Sequence, residues 1–278
     1  MTFIEKKTPD GDSVVANPAV IALPATNGTV TKAPQFKSVS RPPPYEVLRR
    51  MLLLSDGRDK TMKIVQYFTK IVFWLYLSNN KSKYPTLHAR SSALTSQFST
   101  TRKIIRLFHF LEPYTDFREY VIGVRSLNPK APPYGKVAHY LGFVNSVAGM
   151  TNDILDDLYC LGKIGILSKE TAKRVEPIAI AVWFVTIWLD IHELLWNMWQ
   201  LNKKMERAKG RCPEEEWKKM EEKMFWLKHG LVKMSADLGF CGYDFFECNF
   251  SEGFQAITGF TSGALSFYKL WTRMSEKS

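Results

Sequence analysis

The sequence predicts an all-α fold, a helical bundle built from basic amphipathic helices and short hydrophobic segments. Three observations carry this. Beyond Tyr45, apolar residues recur in long segments at the helical spacing. No stretch alternates every second residue as a half-buried strand would, and Gly and Pro gather between the periodic segments. No repeat of fixed length accompanies them.

The expected helices run over about 46–54, 59–78, 90–111, 136–162, 169–209, 213–237 and 253–273. Pro113, Pro129, Pro132, Pro133, Pro177 and Pro213 fall near the joints or in a first turn, as helix breakers should. Ahead of the first helix, residues 1–44 hold 7 of the 14 prolines and only two aromatics, Phe3 and Phe36. That composition reads as a disordered tail, which leaves 45–278 as the helical domain. The tail ends in a PPxY-type WW-domain motif in which Pro42, Pro43 and Tyr45 are the residues read. Polyproline II is already extended and costs little entropy to bind, although the same letters suit a stiff linker.

The second and third helices carry the clearest amphipathic pattern. Over 59–76, Ile64, Val65, Phe68, Ile71, Val72, Leu75 and Tyr76 share one arc at helical spacing. Asp59, Lys63, Gln66 and Lys70 take the opposite arc, with Lys60 at the boundary, where its stem can snorkel. Over 94–111, Leu94, Phe98, Ile104, Ile105, Phe108 and Leu111 share one face and Arg102, Lys103 and Arg106 the other. Such stripes are the core-facing sides of soluble bundle helices, or, because the polar faces are mainly basic, interfacial helices on anionic lipid. A nucleic-acid surface would need exposed aromatics among the cations, and here the aromatics lie on the apolar arcs, so no nucleic acid is expected.

Charge placement agrees. Residues 1–110 carry 17 Lys/Arg against 6 Asp/Glu, whereas 111–278 carry 21 against 21, so the whole excess of +11 lies early and suits an anionic partner. Three later stretches are apolar enough to enter a bilayer. Residues 137–152 are uncharged apart from His139; 178–189 are uncharged and resume as 194–201 after Asp190, His192 and Glu193; 253–268 are uncharged and Gly-rich. Each falls short of the roughly 20 residues of a clean span, a shortfall that a thin or deformed bilayer tolerates. Ala138, Gly142 and Ser146 recur every fourth position, and Gly259 and Gly263 form a GxxxG pair proposed for self-association. Soluble helix crossings use small residues too. The resulting fold class is an all-α, membrane-associated helical bundle. The first ten residues carry no secretory pattern, so targeting information is expected to be internal.

Catalytic patterns are weak. Asp153, Asp156 and Asp157 share a helical face but lack a facing second carboxylate motif, for which Asp190 with Glu193 is a poor candidate. His192-Glu193 has no second histidine four residues on, and His88, His109, His139 and His229 have no ligand spacing. Cys160, Cys212, Cys241 and Cys248 form no CxxC pair and read as free thiols. No nucleophile elbow or P-loop is present. No enzyme, metal or cofactor is expected. Asp190 and Glu193, ionisable groups beside an apolar segment, are functional suspects.

Three further stretches resemble the peroxisomal biogenesis factor 11 family, in its divergent fungal-type members. The first is Ser99-Thr100-Thr101-Arg102-Lys103-Ile104-Ile105-Arg106-Leu107. The second is the helix with Asp153, Asp156, Tyr159 and Leu161, followed by Gly162, Lys163, Gly165 and Leu167. The third runs from Lys233 and Asp237 to Gly259-Phe260-Thr261-Ser262-Gly263 and Leu265-Ser266-Phe267-Tyr268-Lys269-Leu270-Trp271. The resemblance covers about 56–273. It implies a peroxisomal membrane protein that promotes proliferation by inserting amphipathic helices, elongating the membrane and self-associating into a homo-oligomer. The implied partners are anionic membrane lipids, a dynamin-type GTPase of fission with its adaptor, and the peroxisomal membrane-protein import receptor. A pore for small metabolites is the alternative it carries. The long tail and the charged stretch 203–228 depart from the family pattern and suit a regulatory or partner-binding specialisation.

Overall fold

Helix α1 (Pro44–Leu53) starts where the proline run ends. Pro43 is extended, and Pro44 enters the first turn, where its missing N–H leaves no hydrogen bond unmade. The computed structural model describes residues 42–77, 84–123, 133–249 and 251–276, and the helical unit is Arg41–Ser278. The tail over 1–41 lies outside the described residues. Tyr45 is exposed and already helical, so the four motif residues do not share one extended conformation.

Seven further helices follow: α2 (Ser55–Val72), prolonged by a π-helical turn Phe73–Leu77, then α3 (Pro85–Ile105), α4 (Leu111–Val121), α5 (Pro133–Lys163), α6 (Lys169–Ala208), α7 (Glu214–Phe245) and α8 (Glu252–Glu276). No strand occurs among the described residues. Ser168 caps α6, its Oγ accepting from the Thr171 N–H at 3.1 Å.

Three expectations change. The stretch 90–111 is not one helix. It ends at Ile105, and a turn holding Phe108 at φ 67° redirects the chain into α4. Pro113 sits in the first turn of α4, one of the two places expected of it, where a missing N–H is harmless. Pro177 lies inside α6 rather than near a joint or in a first turn, and the helix expected over 169–209 is observed as Lys169–Ala208, 40 residues that hold both apolar runs. Helix α7 also continues past 237 to Phe245.

The helices close a ring. α2 touches α8 and α3, α8 touches α7, α7 touches α6, α6 touches α5, and α5 returns to α3; α1 packs on α2 and α8, and α4 on α5. Helix α1 buries Val47 and Met51 against Leu270 and Met274 of α8, with Phe267 and Trp271 alongside. The α1–α2 corner depends on Gly57, because a Cβ there would stand 2.0 Å from the Met51 carbonyl oxygen.

Gly57→Ala should therefore loosen α1 by about 1–3 kcal/mol, the usual cost of forcing extra atoms into a packed site. Hydrogen exchange should show α1 amides opening sooner while those of α6 and α7 stay protected.

Candidate functional site

The centre of the ring is charged. Asp237 of α7 is 5% exposed and meets three partners. Lys63 of α2 approaches its Oδ1 at 3.4 Å, Lys233 of α7 approaches Oδ2 at 2.8 Å, and the fully buried Ser262 hydroxyl of α8 donates to Oδ1. Lys63 Nζ also donates to Ser262 Oγ at 2.9 Å. One helical turn away, Arg102 of α3 donates from Nε to Asp59 Oδ1 and from Nη1 to Gln66 Oε1, both at 2.9 Å. Asn145 of α5 donates to Asp190 of α6 at 2.7 Å.

The three aspartates of α5 hold the turn after α3. Asp156 receives Lys103 and Arg106, each at 3.3 Å. Asp157 Oδ2 accepts from the Phe108 backbone N–H at 3.0 Å, fixing a bulky residue in the left-handed region that it seldom adopts. His109 lies between two carboxylates, with Nδ1 and Nε2 each 2.9 Å from an oxygen, of Asp153 and Glu112 respectively. The hydrogen bond to Asp153 raises the His109 pKa above 6.5, against partial burial.

These contacts reverse the expected orientation of the basic faces. Lys63, Arg102, Lys103 and Arg106 were expected to face lipid headgroups; here each faces a carboxylate of another helix. Lys70 is half-buried, with Nζ 5.3 Å from the centre of the Tyr67 ring. The cause is complementarity: the buried Asp59 and Asp237 and the half-buried Asp156 offer partners that a search for basic stripes does not pair with them.

The apolar arc of α2 points outward. Val65, Phe68 and Leu75 are 40%, 55% and 54% exposed, while Ile64, Ile71 and Val72 are half-buried. Helix α6 repeats the arrangement, with Ile178, Val185, Trp188, Leu195 and Trp199 exposed at helical spacing along one side. Val137, Tyr140 and Val144 of α5 and Phe225 and Val232 of α7 extend the outer apolar surface. Helix α6 is long and apolar enough to cross a membrane, and only 17% of its most apolar stretch is buried. A soluble core helix would hide that stretch.

The GxxxG face of α8 is occupied within the chain. A Cβ on Gly259 would come within 2.7 Å of the Tyr67 ring, and one on Gly263 within 3.2 Å of the Lys63 stem. These glycines let α2 approach α8, so they are not free to receive a second copy in this arrangement. Gly142 similarly admits the Tyr120 hydroxyl of α4. Among the described residues no cluster of three or more His, Cys, Asp or Glu is placed to hold a metal ion. The four cysteines are free thiols.

Asp237→Asn should cost about 3–5 kcal/mol, because it leaves two ammonium groups without their buried counter-charge. Adding Lys63→Met should recover a large part of that loss. Denaturant unfolding in detergent micelles, followed by circular dichroism, measures both. The His109 clasp carries its own pH dependence. A raised folded pKa means that its stabilisation is complete below about 6.5, the ordinary histidine value, and fades as pH rises through the raised value. Exchange at the amides of 106–110 should quicken over that rise beyond the intrinsic pH effect, and His109→Gln should abolish the extra acceleration.

A family model described as peroxisomal biogenesis factor 11 matches residues 46–271. No curated protein and no solved structure matches the chain.

Proposed function

The chain belongs to the peroxisomal biogenesis factor 11 family, and from that membership we propose that it sits in the peroxisomal membrane and remodels it. The family consists of peroxisome biogenesis factors and is not an enzyme family. The observation that supports membrane residence is the inverted distribution of side chains. Ion pairs among Lys63, Asp237, Arg102 and Asp59 lie inside, and large apolar groups such as Phe68, Trp188 and Leu195 lie outside. In water, exposing that surface costs about 25 cal/mol per Å². Against hydrocarbon the cost vanishes, and each charge must instead find a partner within the protein.

Remodelling follows from the shape of the apolar surface. Helix α2 spans 18 residues, so its length of about 27 Å approaches the roughly 30 Å hydrocarbon thickness. Helix α6, at 40 residues, exceeds it at about 60 Å. Helices of such different reach cannot all cross a flat bilayer squarely, and the resulting tilt and uneven insertion favour a curved membrane. The wedge is thus the bundle with α2 on its outer side, rather than a lone α2 lying on headgroups through Lys63 and Lys70. We extend the proposal to elongation and fission in company with further copies, a dynamin-type GTPase and its adaptor, with delivery by the membrane-protein import receptor. The exposed charged hairpin formed by the end of α6 and the start of α7, with Lys203, Lys204, Glu214 and Glu215, is the surface that suits such protein partners.

A conducting role is the second reading, and the charged side chains facing the middle of the ring favour it. Purified protein in a planar bilayer should then conduct in discrete steps, with selectivity altered by Asp190→Asn.

For the principal reading, the protein should remain in the membrane pellet after alkaline carbonate extraction and coincide with a peroxisomal marker. Phe68→Glu places a carboxylate on the outer face, where a charge in hydrocarbon costs about 2.5–3.5 kcal/mol by insertion scales for its close relative aspartate. It should reduce tubulation of reconstituted vesicles more than Lys63→Met does. Release of the native protein by carbonate would overturn membrane residence, and undiminished tubulation by Phe68→Glu would remove α2 from the wedge.

A further inference from the structure

The turn between α5 and α6 is built to hold one shape. Gly162 lets the two helices close on each other, because a Cβ there would stand 2.7 Å from the Ala172 Cβ. Gly165 turns the chain at φ 88°, in the left-handed region that glycine adopts without strain. The Ile166 and Leu167 N–H groups then both donate to the Leu161 carbonyl, at 3.0 and 3.1 Å, and Ser168 opens α6 as its cap.

Two kinds of side chain project from this turn. Ile166 is 68% exposed and Ile164 37%. Around them stand Lys163, Lys169, Lys173 and Arg174, all exposed. Among the described residues no carboxylate pairs with any of these four cations. Lys163 Nζ lies 6.0 Å from the centre of the Tyr159 ring, whose hydroxyl donates to Glu176 at 2.8 Å. Glu170 is the other carboxylate of the stretch, so cations outnumber carboxylates there. The centre of the ring is the opposite case, since Lys63, Arg102, Lys103 and Arg106 each meet an aspartate. The start of a helix favours carboxylates, so the stability of α6 does not account for Lys169 at that position.

Depth agrees with a lipid partner. Arg174 stands four residues before Ile178, on the side of α6 that carries the exposed apolar stripe. From Ile178 to Trp199 that stripe rises about 32 Å, close to the roughly 30 Å of hydrocarbon in a bilayer. Arg174 then falls about 6 Å outside the hydrocarbon, at headgroup depth. A helix of 40 residues has to tilt or protrude in such a bilayer, and tilt toward the turn lays Lys169, Lys173 and the two isoleucines on the same layer. Cations with apolar side chains between them match the boundary of phosphate and acyl chain.

We propose that the α5–α6 turn is a docking surface for anionic phospholipid. Lys163, Lys169, Lys173 and Arg174 hold the anionic headgroups, and Ile164 and Ile166 sink between them. The contact expected of the basic faces of α2 and α3 thereby moves to a different element. The proposal rests on membrane residence, and its test is chosen to fail separately. Full-length protein is reconstituted, one copy per disc, into nanodiscs of phosphatidylcholine alone or with phosphatidylserine as the minor lipid. Hydrogen exchange over 164–170 should slow by at least about fivefold when the serine lipid is present, the scale of one cation at an anionic surface. High salt should remove that gain. Lys169→Gln with Lys173→Gln should remove most of it, whereas Lys169→Arg with Lys173→Arg should keep it. Ile166→Asn should reduce it while helicity stays native. Equal exchange in the two lipids, or a gain untouched by the glutamine pair or by Ile166→Asn, would overturn the proposal. Protection in phosphatidylcholine discs that hold two copies, and not in discs that hold one, would assign the face to a second copy instead of lipid. Carbonate-resistant protein whose turn exchanges equally in both lipids would sink this surface and leave membrane residence standing; carbonate-released protein whose turn is protected by anionic vesicles would do the reverse.

Discussion

The fold depends on one buried carboxylate. Asp237 draws Lys63 from α2, Lys233 from its own helix and Ser262 from α8 to a single point. A charge this well hidden is tolerable only with counter-charges and donors in place. Satisfying it fixes which way α2 faces. With Lys63 turned inward, helical geometry turns Phe68 and Leu75 outward, and the amphipathic stripe becomes an external surface. The same constraint recurs around the ring in Arg102 with Asp59 and in Asp156 with Lys103 and Arg106.

Close approach makes those contacts reachable. Gly259 and Gly263 remove the side chains that would hold α2 away from α8, so Lys63 can span to Asp237 and Tyr67 can lie against the helix backbone. The motif serves the bundle first. Any self-association of the folded chain must use surfaces that this packing leaves exposed, of which the α6 stripe from Ile178 to Trp199 is the longest described. In lipid, that stripe and the aromatic residues on it have an apolar partner at every position, as the inner charges have a polar one.

Much of the fold was legible because helical periodicity is a local property. Val65, Phe68 and Leu75, grouped on one arc by their spacing, are all exposed, and the apolar stretch of α6 lies within one continuous helix. Local rules failed where an outcome depended on distant partners. The stretch 90–111 reads as one helix until the Phe108 turn, held by Asp157, divides it. The cations of α2 and α3 read as lipid ligands because their carboxylates lie far away in sequence, Asp237 more than 170 residues from Lys63. Asp237 and Ser262 stood in the stretches that carried the family resemblance, yet only packing reveals that they touch. Fold class and family membership agree with the reading, while the roles of individual residues depend on tertiary pairing.

The central claim is that the charges face one another and the apolar arcs face lipid. Spin labels placed one at a time at Val65, Phe68 and Leu75 on α2 and at Trp188 and Leu195 on α6, in full-length protein reconstituted into vesicles, test it most directly. Relaxation by oxygen, which concentrates in hydrocarbon, should exceed relaxation by a water-soluble nickel chelate at all five positions. The opposite ratio at the α2 and α6 positions together would place those arcs in water and contradict the inverted arrangement.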